Sequence, residues 1–133
     1  MPMTKIMLLD DNTDIVTLLE MVLNQQGYDV ISGRNGQEGM NMLEEGKFAP
    51  DLIISNFHMP QMDGLDFLEH LRENPQFRSI PFILLTAAPA IQWQQQATQL
   101  GANAFLPKPF KIDLLKKTIR AVSESANPSA CAC

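Results

Sequence analysis

The sequence predicts an α/β protein built on a parallel sheet of five strands, with helices covering both faces. Short apolar runs alternate along the chain with segments whose apolar residues recur every three to four positions, as in an amphipathic helix. The apolar runs are continuous, which indicates strands that are buried on both faces of a parallel sheet. The chain therefore reads as five β/α units, with right-handed crossovers expected between the strands.

Each predicted strand is a short apolar run rich in residues that favour extended structure. KIMLL, YDVIS, DLIIS, PFILL and AFL have this character. The five strands are predicted over residues 5–9, 28–32, 51–55, 81–85 and 104–106.

Most of the predicted helices carry a recognisable start signal, stop signal or apolar stripe. Gly27 ends the first helix and Gly101 ends the Gln-rich fourth. Asn35 with Glu38 three residues later resembles a capping box at the start of the second. The first four helices are predicted over 13–26, from Asn35 to about 45, over 65–73 and over 90–100. The fifth is predicted from the apolar stripe of Ile112, Leu115, Ile119 and Val122.

Composition narrows the functional classes. The chain has 133 residues, 45% of them apolar and 19% charged, which is typical of one soluble globular domain. A net charge of -5 argues against a nucleic-acid surface. No apolar run approaches the roughly 20 residues of a membrane span, and the N-terminal run does not resemble a signal peptide. A cytosolic location is therefore expected.

The last eight residues have the small, polar composition of a disordered tail, so the domain is predicted over 1–125 and the tail over 126–133. Cys131 and Cys133 supply too few ligands for a four-coordinate metal site. A terminal Cys-x-Cys is also found in prenylated tails, but no other feature here supports that interpretation. A reduced, disordered tail is the preferred one.

Polar side chains follow four of the five strands at the point where each strand ends. They are Asp10 with Asp11, Asn56, Thr86 and, past a proline, Lys108. Ligands of open parallel sheets bind beyond these carboxyl ends, so we expect the side chains to line one crevice. Hard carboxylate oxygens suit Mg²⁺, whereas an ammonium and a hydroxyl group suit a phosphoryl group. Isolated loop aspartates and helix caps are the alternative interpretation.

Four motifs in this order resemble the receiver domain of two-component response regulators, including the single-domain chemotaxis type. The motifs are LLDDN (8–12), PDLIISNFHMPQMDG (50–64), ILLTAA (83–88) and GANAFLPKPF (101–110). The resemblance covers residues 4 to about 124. It implies a doubly wound, flavodoxin-like three-layer α/β/α fold with strand order 2-1-3-4-5. It also implies partner binding, to a sensor histidine kinase or a downstream signalling protein, through the face of the fourth helix, fifth strand and fifth helix.

The resemblance also implies roles for individual residues. Asp11 would bind Mg²⁺ directly and Asp10 through water, with the His58 backbone carbonyl and position 56 as further ligands. Thr86 and Lys108 would contact the phosphoryl group, and Phe105 would be the aromatic switch. The remaining implications are a cis peptide at Lys108–Pro109, a tight turn at Gly64, and Trp93 on the partner face, either as an exposed anchor or packed against the sheet.

Asn56 departs from the family, which places its phospho-accepting aspartate at this position. An amide is a poor nucleophile toward phosphorus, and the site loses one negative charge, so weaker Mg²⁺ binding and no phosphorylation at Asn56 are predicted. Asn56 is either natural to a receiver that works without phosphorylation or the replacement of an aspartate. Ser55 is not expected to substitute, because alternation along a strand turns it away from Asn56.

Two alternative functions use a similar fold. A metal-dependent phosphotransferase or phosphatase needs a carboxylate nucleophile after a strand and usually an inserted cap, and both are missing here. A flavodoxin needs a Ser/Thr/Gly-rich phosphate loop, which no strand end provides. The function predicted is a partner-binding switch in a phosphorelay and not a conventional enzyme. His58 is predicted either to overhang the pocket or to face solvent, and His70 to lie on the surface.

Overall fold

A five-stranded parallel sheet forms the centre of the computed structural model, which describes residues 4–46, 48–86, 91–108 and 111–125. The strand order is β2-β1-β3-β4-β5, as predicted. The strands are β1 (Lys5–Leu9), β2 (Asp29–Gly33), β3 (Leu52–Asn56), β4 (Phe82–Thr86) and β5 (Ala104–Pro107). The helices are α1 (Thr13–Gln25), α2 (Gly36–Glu45), α3 (Gly64–Glu73), α4 (Ile91–Gln99) and α5 (Ile112–Ser125).

The second, third and fourth strands each begin and end one residue later than predicted. The pairing register sets these limits, since Lys5 of β1 lies opposite Asp29 of β2 and Ile6 lies opposite Leu52 of β3. Neighbouring parallel strands have to exchange backbone hydrogen bonds, and this requirement is not visible in the apolar pattern of one strand.

The apolar runs are buried on both faces of the sheet, which explains why they do not alternate with polar residues. Ile53 belongs to a core cluster that also contains residues of α2 and α3, and its neighbours Leu52 and Ile54 belong to a second cluster with residues of α1 and α5. All five side chains of β3 are buried. Within the described ranges no helix is long and apolar enough to cross a membrane.

The helix ends follow the predicted signals. Gly27 and Gly101 have φ of 90° and 97°, a backbone conformation that favours glycine. The Asn35 side chain accepts the Glu38 N–H at 2.9 Å, while the Glu38 carboxylate accepts the N–H of Arg34, one residue before the position that a capping box uses.

Arg72 of α3 joins two loops at the amino ends of the strands, those before β4 and β5. Its guanidinium donates hydrogen bonds to the carbonyls of Arg78 at 3.0 Å, Ile80 at 2.9 Å and Gly101 at 2.8 Å. Burial lowers the pKa of this guanidinium. The side chain therefore fixes the loops before β4 and β5 to α3.

Several predictions concern residues outside the described ranges. They are the tail over 126–133 with Cys131 and Cys133, the peptide between Lys108 and Pro109, and the side chain of Trp93.

Candidate functional site

The predicted site residues lie at the carboxyl edge of the sheet, where the pairing register brings them to a common level. Leu9 lies opposite Ser55, Asn56 opposite Leu85 and Thr86 opposite Pro107, so the residues that end these strands are close neighbours. Asp10, Asn56 and Thr86 are buried, with exposed fractions of 1%, 8% and 8%. Asp11 is exposed and Lys108 is half-buried.

Asp10 is a buried carboxylate whose charge is compensated. Its Oδ2 accepts a hydrogen bond from Lys108 Nζ at 2.8 Å, and its Oδ1 accepts one from the Asn12 N–H at 3.0 Å. Its own N–H donates to the Gly33 carbonyl at 3.1 Å, which fixes the turn after β1 against the end of β2. A buried charge without such partners is costly, so Lys108 and Asp10 hold one another in place.

Asn56 uses its side-chain NH₂ group as a donor toward two acceptors. Nδ2 donates to the His58 backbone carbonyl at 2.8 Å and lies 3.5 Å from Asp11 Oδ1, a long and weak contact. Both neighbours are acceptors, so the amide nitrogen and not the amide oxygen has to face them. A carboxylate at this position has no proton to donate at neutral pH.

Thr86 and Lys108 are linked through the backbone as well as by position. The Lys108 N–H donates to the Thr86 carbonyl at 2.7 Å, which ties the end of β5 to the end of β4. Phe105 of β5 is half-buried and packs against the core cluster on the α2 and α3 side of the sheet. Its predicted role as a switch stays a prediction.

Ser55 and His58 lie close to Asn56 in the sequence, but their side chains have different surroundings. Ser55 is fully buried and its hydroxyl donates to the Asn56 backbone carbonyl at 3.0 Å, so it is turned away from the pocket as predicted. His58 is exposed, and its ring packs edge-on against Phe57 with centroids 4.6 Å apart. His70 is exposed on α3, as predicted.

Gly64 lies where the chain passes closely under Asn56. A Cβ atom at Gly64 would lie 2.5 Å from the Asn56 carbonyl oxygen, and the Gly64 N–H donates to the Phe57 carbonyl at 2.8 Å. The predicted turn is therefore present, and close approach of two backbone segments is the reason that it needs glycine.

The oxygens of Asp10, Asp11 and the His58 carbonyl are hard donors of the kind that Mg²⁺ prefers. Asp10 already accepts a hydrogen bond from Lys108, and the His58 carbonyl accepts one from Asn56. Among the described residues there is no group of three or more His, Cys, Asp or Glu side chains that could hold a metal ion. These oxygen donors are of the type that Mg²⁺ prefers, but the uncharged Asn56 side chain adds no negative charge to them.

Sequence reasoning missed two contributions to the site. One is Asn12, which caps α1 by accepting the N–H groups of Asp14 and Ile15 and whose own N–H orients Asp10. An Asn directly before a helical pattern is a recognised cap signal. The other is the contact of Met62 with Gly36, which joins segments distant in sequence and gives no local signal.

Residues 6–120 match the response regulator receiver domain family. The chain is 40% identical over 119 residues to a probable chemotaxis protein CheY of Rhizobium etli, covering 89% of this chain and 91% of that protein. It is 35% identical over 129 residues to the alkaline phosphatase synthesis transcriptional regulatory protein PhoP of Bacillus subtilis, covering 95% of this chain and 52% of that protein. The chain thus spans about half the length of PhoP.

The fold agrees with solved structures. The chemotaxis response regulator CheY4 of Vibrio cholerae superposes with a TM-score of 0.82 at 30% identity, covering 91% of this chain and 99% of that chain.

Proposed function

The chain belongs to the response regulator receiver domain family, and on that premise we propose that it is a partner-binding switch whose site is not phosphorylated at residue 56. Receiver domains are signalling proteins of two-component systems that interact with histidine kinases and downstream effectors. They are not enzymes in the ordinary sense, and they generally bind Mg²⁺ in an acidic pocket. In this proposal the protein has the same signalling role but lacks the phosphoryl acceptor.

The orientation of the Asn56 carboxamide carries the proposal. Its nitrogen is committed to the His58 carbonyl, and the lone pair of an amide nitrogen is delocalised into the carbonyl group. The amide oxygen keeps its lone pairs but carries no negative charge, so it is a poor nucleophile toward phosphorus. This reasoning holds whether Asn56 is natural or replaces an aspartate.

Mg²⁺ binding is expected to be weak in this protein. The cation would have to displace the Asn56 NH₂ group from the His58 carbonyl and compete with Lys108 for Asp10. It would then meet only the two carboxylates of Asp10 and Asp11. Mg²⁺ gives up its own water ligands reluctantly, so few charges and occupied donors both lower its affinity.

The central experiment is phosphorylation by acetyl phosphate with Mg²⁺, followed by intact mass and phosphate-affinity electrophoresis. We expect no labelling of the protein and hydroxylamine-labile labelling of Asn56→Asp. Thr86, Lys108 and the aspartates lie at or directly after strand ends at the same edge of the sheet, and phosphoryl transfer depends mainly on positioning and charge. Asn56→Asp without divalent metal is the matched control and should stay unlabelled.

Labelling of the unaltered protein would contradict the proposal. Failure of Asn56→Asp to become labelled while Mg²⁺ is bound would show that the pocket is not an intact receiver site.

We also propose that partners bind the face formed by α4, β5 and α5. Leu114 on α5 is 44% exposed and Leu18 on α1 is 46% exposed. The two leucines are equally exposed but lie on different helices, so one can serve as the control for the other. Leu114→Ala is expected to weaken binding to a purified kinase or effector about tenfold, because it removes apolar side-chain area that the partner would bury. Leu18→Ala is the control, and the reverse ranking would place the interface on α1.

A further inference from the structure

The loop of residues 57–63, here named the strap, leaves the end of β3 and returns to the start of α3. Its base is closed by the hydrogen bond from Gly64 N–H to the Phe57 carbonyl at 2.8 Å. Two further bonds fasten it to its surroundings. Asn56 Nδ2 donates to the His58 carbonyl at 2.8 Å, and the Gly36 N–H donates to the Met62 carbonyl at 3.0 Å.

The strap contains a strained turn between the hydrogen bonds at His58 and Met62. Gln61 has φ of 69°, and within the described ranges it is the one residue other than glycine with positive φ. The Met62 N–H donates to the Pro60 carbonyl at 2.7 Å, which closes a three-residue turn about Gln61. Turns of this hand are rare and strained, and they persist only where the surrounding structure holds them.

The strap also contacts the first residue of α2. Gly36 is the first residue of α2, and its N–H has no partner within the helix. The Met62 carbonyl accepts it instead. A Cβ atom at Gly36 would lie 2.8 Å from Met62 Cγ and 2.9 Å from Met62 O, so the two segments approach as closely as glycine allows.

We propose that the strap is a conformational device that the Asn56 carboxamide holds closed, and that its release frees the start of α2. The inference rests on the proposed function, because both assign Asn56 the role of hydrogen-bond donor and not of phosphoryl acceptor. His58, Pro60 and Gln61 are exposed at the tip of the strap, so a partner can reach it. The carboxamide thus couples the pocket to α2 without any covalent change.

Amide hydrogen exchange at Gly36, followed by NMR, measures opening of the strap directly. We expect Asn56→Ala to speed this exchange about tenfold, the effect of losing one ordinary hydrogen bond on the population of the open form. Asn74→Ala is the matched control, because the Asn74 side chain also makes one local hydrogen bond, accepting the Gln76 N–H at 2.9 Å, but lies after α3 and away from the strap. It should leave Gly36 exchange unchanged.

A second variant tests the strain independently. Gln61→Gly allows positive φ without penalty and is expected to slow Gly36 exchange several-fold, both alone and combined with Asn56→Ala. Exchange at Gly36 in Asn56→Ala within about twofold of the unaltered protein would overturn the proposal. No slowing in Gln61→Gly would overturn the assignment of strain. Acetyl phosphate labelling decides the proposed function separately, so either idea can fail while the other stands.

Discussion

Replacing Asn56 by aspartate should destabilise the protein when no metal is present, although the side chains have the same shape. The change removes the donor that satisfies the partly buried His58 carbonyl. It also puts a carboxylate next to Asp11, whose Oδ1 lies 3.5 Å from the Asn56 nitrogen. Three carboxylates then share one pocket with Lys108 as the nearby cation.

The size of the effect follows from these contacts. An unsatisfied His58 carbonyl costs about 1–3 kcal/mol. Repulsion from Asp11 adds about 1 kcal/mol, because Asp11 is exposed and water screens its charge. We therefore expect the free energy of unfolding to fall by about 2–4 kcal/mol. At roughly 4 °C per kcal/mol for a domain of this size, Tm should fall by roughly 8–16 °C.

Mg²⁺ should reverse this loss in the variant more than it stabilises the unaltered protein. At a concentration of about 100 times its Kd, a ligand that binds only the folded state adds about 2.7 kcal/mol. The assay is thermal and urea unfolding followed by circular dichroism, with chelator and then with Mg²⁺. Asn74→Asp is the control, because the Gln76 N–H can bond to a carboxylate as well as to an amide oxygen.

Equal stability of the metal-free Asn56→Asp variant and the unaltered protein would refute the reasoning about the His58 carbonyl. An equal gain from Mg²⁺ in both proteins would refute the claim that the Asn56 amide weakens the metal site.

Three further changes test the fold around the site by urea unfolding. Gly64→Ala should cost about 1–3 kcal/mol, because its Cβ would meet the Asn56 carbonyl oxygen at 2.5 Å. Asn35→Ala should cost about 1 kcal/mol through loss of the α2 cap, whereas Asn35→Asp should retain most of it. Arg72→Met should cost about 2–3 kcal/mol through loss of its bonds to backbone carbonyls. That loss should not vary across neutral pH, because an arginine guanidinium stays charged in proteins.

The sequence by itself determined the class of fold and the positions of the polar site residues. Continuous apolar runs required a sheet covered on both faces, and glycine and Asn signals located most helix ends. Because all strands of a parallel sheet end at the same edge, Asp10, Asn56, Thr86 and Lys108 could be assigned to one crevice before any distance was known. The strand order came from the resemblance to receiver domains.

Only the tertiary structure decided how the site residues are paired. Three contacts depend on how side chains and loops are oriented, and no local pattern shows them. They are the Lys108–Asp10 bond, the bond from the Asn56 nitrogen to the His58 carbonyl, and the contact of Gly36 with Met62. Local sequence patterns report backbone propensity and burial, whereas hydrogen-bond partners depend on distances of a few ångströms set by packing. The sequence therefore indicated that Asn56 is not a nucleophile, and the structure indicated what it is bonded to instead.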